Sequence, residues 1–179
     1  MERLPMAHRV VGWWNYFSGM RSRSTRMLGT TQMSIRWIQP SDLKQVMEVE
    51  RESFEFPLTH EEFVDWLKME QCVCLVYEVR GVVAAYLMYL YDHNRYELLN
   101  IAVGRGYRFQ RIASELLSHL KMGLNQGRHS ISTRVRRKNY PAVNFLLKNG
   151  FAVVGKKRET VSETEGAEFV LRMRYVAGD

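Results

Sequence analysis

The residues best suited to chemistry lie between positions 100 and 117, where an apolar strand passes through a short glycine-bearing loop into a helix. The first turn of such a helix offers unpaired backbone N–H groups and the positive end of the helix dipole, which together favour anions. Arg105, Arg108 and Arg111 crowd the same loop, as a pyrophosphate would favour. Strand–glycine–helix junctions are common, so the alternative is a plain turn with solvated arginines.

Other reactive side chains give weaker signals. His93 lies between Asp92 and Asn94, a composition typical of a turn. Cys72 and Cys74 would point the same way from one strand, too far apart to bridge comfortably. We therefore expect inert core thiols in a reducing compartment, the cytoplasm. No His or Cys spacing suggests a metal site, so no metal is expected.

The elements that must position these residues follow a regular pattern from residue 34 onward. Helices interrupt the strands without a strict βαβ alternation, which indicates an α+β fold. We expect a mixed, mostly antiparallel sheet of six or seven strands flanked by helices. The predicted strands cover 34–39, 72–79, 82–90, 96–103, 130–135, 151–157 and 169–175, and the helices begin near 40, 59, 108 and 141.

Charge is spread unevenly over the 179 residues. The net charge of +7 suggests an acidic partner without naming it. Residues 1–33 hold five arginines and one glutamate, so we expect a basic, poorly ordered N-terminal extension before a single domain over 34–179. The extension also resembles a transit peptide or a membrane-surface segment, but its apolar run is too short to span a bilayer.

Three motifs follow one another along the chain: LNIAV at 99–103, YRFQRIA at 107–113 and VRRKNYPA at 135–142, before an NGF ending at 149–151. In order and spacing they resemble the Gcn5-related N-acetyltransferase (GNAT) superfamily, in particular the RimI-like ribosomal-protein-alanine N-acetyltransferases. The resemblance covers about residues 34–175, and it implies the acyl-CoA N-acyltransferase fold and acetyl transfer from acetyl-CoA to a primary amine. A protein N-terminus, such as that of a ribosomal protein, is the expected acceptor; a lysine, a small amine, or a catalytically impaired CoA-binding or ribosome-associated role are the alternatives.

The resemblance also implies where acetyl-CoA binds, in a cleft where the central strand separates from its neighbour. Backbone groups of Ile101 and Val103, with Ala102 between them, would hold the pantetheine and acetyl end, and the Val103 N–H would lie near the thioester oxygen. Asn139 would contact the cofactor through its side chain. The residues expected to cradle the pyrophosphate are Arg108, Phe109, Gln110, Arg111, Ile112, Ala113 and Ser114.

Three positions depart from the family pattern. Arg111 replaces the first motif glycine; its side chain would crowd the pyrophosphate or add a charge-assisted contact, and a residue in a helical first turn needs no glycine. Arg134 stands where the closest relatives carry a catalytic glutamate, and Leu146 stands where a tyrosine protonates the departing thiolate. Those two roles are not transferred. Tyr107 and Tyr140 are candidate replacement acids, although such rings more often pack or lie on the surface.

Glu97 is the candidate general base, because it opens the central strand at the offset used by the catalytic glutamate of histone-type acetyltransferases in the same superfamily. A carboxylate at the start of an apolar strand, with little water nearby, would suit the acceptance of a proton near neutral pH. The alternative is a half-exposed glutamate paired with Arg95 or another surface cation.

No motif specifies the acceptor. We expect Pro57, the first two helices and residues 158–168 to line its entrance, where four glutamates would attract a cationic acceptor or form a solvated loop. We also expect a monomer or weak dimer, no membrane span and no direct nucleic-acid binding, because no aromatic and basic pattern of a known module is present. The basic residues outside the extension gather around the CoA motifs, so the acidic partner is expected to be the cofactor.

Overall fold

A computed structural model of the protein describes residues 24–28, 31–162 and 166–178. Its helices are α1 (Leu43–Ser53), α2 (His60–Leu67), α3 (Ile112–Met122) and α4 (Tyr140–Lys148). Its strands are β1 (Ser24–Leu28), β2 (Thr31–Trp37), β3 (Cys72–Val79), β4 (Val82–Tyr91), β5 (Arg95–Val103), β6 (Ser130–Arg136), β7 (Ala152–Ser162) and β8 (Gly166–Val176).

The strands form one sheet in the order β1-β2-β3-β4-β5-β6-β8-β7. Within the described residues β5 and β6 are parallel, and the other neighbouring strands are antiparallel. The predicted α+β class with a mixed, mostly antiparallel sheet is therefore confirmed. The sheet has eight strands instead of six or seven because β1 adds to the predicted set by pairing with β2. This strand precedes residue 34, whereas residues 1–23 lie outside the described part, so the domain boundary at residue 33 stays a prediction.

Helices pack on both faces of the sheet and bury two apolar clusters. On one face Leu116 and Leu117 of α3 and Leu146 of α4 pack against Leu98 and Ile131. On the opposite face the buried side chains include Val46 of α1, Phe63 of α2, Val76 and Tyr86. On that second face α1 lies over β4 and β5, and α2 lies over β3.

The start of α1 is fixed by a charged cluster at the end of β2. The Arg36 guanidinium lies 2.6 Å from Asp42 and 2.7 Å from Glu78, and these two carboxylates raise its pKa. Asp42 also accepts a hydrogen bond from the Gln39 backbone N–H at 2.7 Å, which caps the short 3-10 turn before α1. The predicted first helix is therefore present, as a 3-10 turn over Pro40–Asp42 followed by α1 from Leu43.

Helix α2 begins at the predicted capping box. The Glu62 backbone N–H donates to Thr59 Oγ1, and the Thr59 N–H donates to Glu62 Oε2 at 2.8 Å. The Thr59 hydroxyl also donates to Glu62 Oε2 at 2.9 Å, and the two bonds from Thr59 to this carboxylate lower the pKa of Glu62. The segment between α1 and α2, which contains Pro57, is held close to the sheet, because the Leu58 N–H donates to the buried Glu50 carboxylate at 2.9 Å.

Candidate active site

The central feature of the site is a cleft between two parallel strands. Strands β5 and β6 pair only over residues 95–98 and 130–133, whereas β5 continues to Val103. Beyond Leu98 and Thr133 the two strands separate. This separation leaves the edge of β5 without a strand partner on the β6 side, as the resemblance implied.

A bulge in β5 lies at the same point. Met88 of β4 is opposite Asn100, but the next residue, Tyr89, is opposite Leu98, so Leu99 is the additional residue in β5. A bulge of this kind bends the strand and increases its twist. The bend explains why β5 stays paired with β4 while it diverges from β6.

The hydrogen-bond pattern shows which backbone groups face the cleft. The Gly104 N–H donates to the Ala84 carbonyl on β4 at 2.9 Å. Because backbone groups alternate in direction along an antiparallel strand, those of Ala102 also face β4, whereas those of Ile101 and Val103 face the cleft. Ala102 is buried and holds β5 against β4, while its two neighbours have the orientation expected for binding pantetheine.

The loop before α3 differs from the predicted continuous helix. Phe109 and Arg111 both have φ of 64°, and α3 begins only at Ile112. The prediction that the helix begins near Arg108 is therefore wrong. The inference that position 111 needs no glycine assumed a helical first turn, and this assumption is wrong as well. Arg111 is the N-cap in the left-handed region, a conformation that costs a residue with a side chain about 1–2 kcal/mol relative to the right-handed one.

The N-terminus of α3 has free backbone N–H groups. Its N-cap side chain makes no capping hydrogen bond, and its first turn continues from Ile112 through Ser114 to Glu115, whose carboxylate accepts a hydrogen bond from the Tyr77 hydroxyl at 2.8 Å. The first N–H groups of a helix have no partner within it, and they favour anions. Phe109 is fully exposed, whereas the Ile112 side chain is buried in the core, so Ile112 can contact a ligand only through its backbone.

The Arg108 side chain is held by hydrogen bonds to backbone carbonyls. Its Nε donates to the Val103 carbonyl at 3.0 Å, and Nη2 donates to the Glu52 carbonyl at 3.1 Å. The Glu52 carboxylate accepts from the Arg105 N–H at 3.0 Å. Arg108 therefore ties the end of α1 to the end of β5, and the Val103 carbonyl is engaged while its N–H faces the cleft. Gln110 likewise donates to a loop carbonyl, that of Gly106.

Asn139 lies at the N-cap of α4, beyond the end of β6. Its Oδ1 accepts from the Ala142 N–H at 3.2 Å. While the cap is kept, the Asn139 side chain retains its amide N–H donors and one oxygen lone pair for the predicted cofactor contact, which stays a prediction.

Glu97 lies at the third rung of the β5–β6 pairing, opposite Ser132. Its side chain is 34% exposed, and its Oε1 lies 4.0 Å from Arg134 Nε. Glu97 is therefore a half-exposed glutamate beside a surface cation, which was the alternative to a catalytic base. The cation is Arg134. The catalytic role of Glu97 stays a prediction.

A buried polar network behind the cleft was missed in the sequence. Tyr86, with no exposed surface, donates from its hydroxyl to Glu50, and the Asn100 amide donates to the Tyr86 oxygen at 3.2 Å. Burial and the Glu50 carboxylate raise the pKa of Tyr86 well above its usual value. The network joins α1, β4 and the bulge in β5. Its one signal in the sequence is Asn100, a polar residue in an otherwise apolar strand.

No replacement for the missing acid stands out in the structure. Leu146 is 4% exposed and packs in the core, so its position does not reach solvent. Tyr140 is 69% exposed at the first residue of α4, and Tyr107 packs against the core from the loop after β5. Both tyrosines occupy the packing or surface positions that the sequence favoured.

The segment between α1 and α2 forms one wall beside β6. Glu55 lies 3.1 Å from the Arg136 guanidinium, which also stacks over the Phe56 ring at 5.6 Å. Glu168 of β8 pairs with Arg136 at 2.9 Å and with Lys138 at 2.6 Å, and these cations lower its pKa.

The glutamates of residues 158–168 therefore do not form a free acidic strip where they are described. Glu159 lies 3.7 Å from Arg134 and 3.7 Å from Lys157, and Glu168 has the partners given above. Glu163 and Glu165 lie outside the described residues. The expectation that this segment attracts a cationic acceptor is not supported by the two carboxylates whose positions are known.

A groove of about 320 Å³ lies on the sheet face opposite α3 and α4, across β5, β6, β8 and β7. Glu97 and Glu159 are its acidic lining residues, and Thr133, the last paired residue of β6, also lines it. We call it the basic groove, after its six cationic residues, which are Arg95, Arg134, Lys156, Lys157, Arg172 and Arg174.

The two cysteines of the described part are buried or half-buried. Cys72 and Cys74 are free, and burial raises the pKa of Cys72 to about 12 and that of Cys74 well above its usual value. No group of three or more His, Cys, Asp or Glu side chains in the described part is arranged to hold a metal ion. In the same part of the chain, no helix is both long and apolar enough to cross a bilayer.

Comparison with protein families assigns the chain to a known family. The acetyltransferase (GNAT) family matches residues 43–151, which include α1, the cleft strands, α3 and α4. The chain belongs to the GNAT family of acetyltransferases. It is therefore an acetyl-CoA-dependent N-acetyltransferase. A search of curated proteins found no match.

Solved structures share the GNAT fold at low sequence identity. The ribosomal-protein-S18-alanine N-acetyltransferase from Escherichia coli superposes with a TM-score of 0.73 at 23% identity, covering 82% of this chain and 96% of that one. Ard1 from Thermoplasma volcanium gives 0.71 at 22% identity, covering 82% and 99%. Arabidopsis thaliana Naa50, solved with the bisubstrate analogue CoA-Ac-MVNAL, gives 0.67 at 17% identity, covering 80% and 97%.

Proposed function

We propose that this GNAT enzyme transfers the acetyl group of acetyl-CoA to the α-amino group of a protein N-terminus. The observation that carries the proposal is the position of Glu97 beside the β5–β6 separation. The backbone groups of Ile101 and Val103 face the cleft beyond it, and a groove lined by Glu97 lies on the sheet face opposite α3. A cofactor in the cleft and a peptide in the groove would therefore meet beside this strand.

The similar structures support a peptide acceptor. The Escherichia coli protein is named for alanine acetylation on a ribosomal protein, and Naa50 was solved with a CoA–peptide conjugate. A ribosomal protein N-terminus is the partner we propose on the first of these. The free thiols of Cys72 and Cys74 support work in a reducing compartment, for which we propose the cytoplasm.

In the proposed mechanism the residues of the cleft hold and move one proton. Glu97, directly or through water, takes a proton from the amine as its nitrogen attacks the thioester carbonyl carbon. A backbone N–H of β5 that faces the cleft donates to the oxygen that gains negative charge, and Ile101 is nearer to Glu97 along the strand than Val103 is. When the carbon–sulfur bond breaks, the thiolate takes a proton from solvent, because Leu146 offers none.

Two measurements test the proposal. Calorimetry with acetyl-CoA measures cofactor binding, and a thiol-release assay over peptides and small amines then measures turnover. We expect binding, with turnover on peptides that have a free N-terminal amine and none on the same peptides blocked at the N-terminus. Turnover restricted to lysine side chains or small amines would contradict the proposal.

A catalytically impaired CoA-binding module is the second candidate function. Arg134 and Leu146 favour it, because the first reverses the charge of a usual catalytic position and the second removes a proton donor. Binding of acetyl-CoA without turnover on any amine would favour this second candidate.

A further inference from the structure

The basic groove carries more positive than negative charge. Five cationic side chains share its face with two carboxylates, Glu97 and Glu159, whereas the Lys156 ammonium lies over the Phe169 ring on the opposite face. Arg134 lies within 4.0 Å of both carboxylates and Lys157 lies 3.7 Å from Glu159, so the acidic charge is shared by two of these cations. Among the described residues, no carboxylate lies within 4.0 Å of the side chains of Arg172 and Arg174, and both residues are exposed.

The register of the sheet shows why these cations share one face. Arg134 of β6 is opposite Arg172 of β8, and Ser132 is opposite Arg174. Val170, next to Arg172 on this face, is opposite Lys157 of β7. Residues directly opposite one another in an antiparallel pair have side chains on the same face. Like charges opposite one another are destabilising in a sheet, so Arg134 and Arg172 keep an unfavourable pairing that packing does not require.

The groove begins beside the point where β5 and β6 separate. Thr133, which lines it, is the last paired residue of β6, and Glu97 lies one rung before the last pair. From β5 to β7 it crosses three strand spacings, a distance of about 14 Å. An extended chain advances about 3.3–3.6 Å per residue, so about four acceptor residues fit along it.

We propose that the acceptor of this enzyme is an acidic N-terminal segment, with Asp or Glu side chains at the positions after the reacting amine that lie over Arg134, Arg172, Arg174 and Lys157. This inference rests on the proposed function and specifies its substrate class. The cations lower the free energy of the bound acidic segment, whereas a basic segment meets repulsion along the same path.

A peptide fits the groove better than a nucleic acid does. Single-stranded nucleic acids bind proteins through aromatic side chains on which the bases stack, combined with basic residues. Among the described lining residues there is no aromatic side chain. The groove also carries Glu97 and Glu159, which a phosphate backbone would have to pass, whereas an amine at the cleft end is favoured by Glu97.

The test uses the full chain and three peptides that share an N-terminal alanine and differ only at positions two to five. These positions are acidic in the first peptide, neutral in the second and basic in the third. We expect kcat/KM to be about tenfold higher for the acidic peptide than for the neutral one, and lower again for the basic one. The ratio should fall towards one in about 0.5 M NaCl, because the interacting charges are exposed.

Two charge reversals on one hairpin supply a matched pair. Arg172→Glu places a negative charge in the groove, whereas Arg158→Glu makes the same change on β7 on the opposite face, since Arg158 alternates with Lys157. We expect the acidic preference to be lost in R172E and kept in R158E. Both variants should bind acetyl-CoA with the wild-type Kd, which shows that each is folded.

The outcomes separate this inference from the proposed function. Equal kcat/KM for acidic and neutral peptides, with good turnover, would overturn the acidic acceptor and leave N-terminal acetylation standing. Acetyl-CoA binding with turnover on small amines alone would overturn both. A short RNA that binds the wild type but not R172E, with no acidic preference among peptides, would assign the groove to nucleic acid and overturn the inference.

Discussion

The Nε atom of Arg134 lies 4.0 Å from Oε1 of Glu97, so the candidate base and the residue at a usual catalytic position of the family form an ion pair across β5 and β6. The pair lies beside the last rungs before the strands separate. The contact with Glu97 explains how arginine is accommodated at position 134.

Replacing Glu97 by Gln tests its role directly. If the carboxylate takes the proton from the amine, E97Q should lower kcat by about 10²–10⁴-fold at neutral pH, because general-base catalysis contributes about that much. Glu159→Gln is the matched control, since Glu159 contacts the same arginine at 3.7 Å from a strand farther from the cleft. Steady-state kinetics should show kcat for E159Q within about twofold of wild type. Unchanged kcat in E97Q would remove Glu97 from the mechanism.

Replacing Arg111 by Gly tests the cost of the loop before α3. The position has φ of 64°, which glycine adopts without steric cost. We expect R111G to raise the free energy of unfolding by about 0.5–1 kcal/mol, since the relief of strain exceeds the added flexibility of the unfolded chain. Arg105→Gly also removes an arginine side chain from this loop, but at a position without positive φ. We expect this variant to lower the free energy of unfolding. Urea unfolding measures both, and a loss of stability in R111G would contradict the strain.

The same variant decides what the Arg111 side chain does for the cofactor. Calorimetry with acetyl-CoA should show weaker binding in R111G if the guanidinium contacts the pyrophosphate, by about tenfold for one charge-assisted hydrogen bond. Tighter binding would show that the side chain crowds the site. The two alternatives left open by the sequence thus predict opposite signs.

Replacing Tyr86 by Phe tests the buried network behind the cleft. The change leaves the Glu50 carboxylate and the Asn100 amide without their shared partner, so we expect a loss of about 1–3 kcal/mol in the free energy of unfolding. Tyr91→Phe, on the same strand, removes a hydroxyl that donates to the Glu70 carbonyl near solvent, and should cost less than about 1 kcal/mol. A smaller loss in Y86F than in Y91F would show that the network does not stabilise the fold.

The pH dependence of stability should depend on His119 in α3. Burial lowers the pKa of His119, so the unfolded chain binds its proton more readily than the folded chain does. Its contribution to stability is present above the unfolded pKa of about 6.5 and is lost as the pH falls through the folded pKa. We therefore expect denaturant unfolding to show stability falling with pH below about 6.5, and less steeply in His119→Gln. An unchanged slope in H119Q would contradict this assignment.

Local patterns were sufficient to predict much of the fold. The Thr59–Glu62 capping box and the apolar run of β5 predict α2 and a central strand, because both depend on neighbours in the chain. The sequence could not reveal the left-handed backbone at Arg111, because arginine has no preference for that conformation. Arg111 has its left-handed φ in the loop that joins β5 to α3, at the N-cap of the helix.

The sequence by itself determined the family, the cleft strand and the candidate base, since these depend on residues within one continuous stretch or on the order of motifs. Only the tertiary structure decided which backbone groups of β5 face the cleft, because that depends on its register with β4 and on the bulge at Leu99. It also decided which basic residues lie on the same face of the sheet. Arg134, Arg172 and Lys157 are separated along the chain, and only sheet pairing places them on one face beside Glu97.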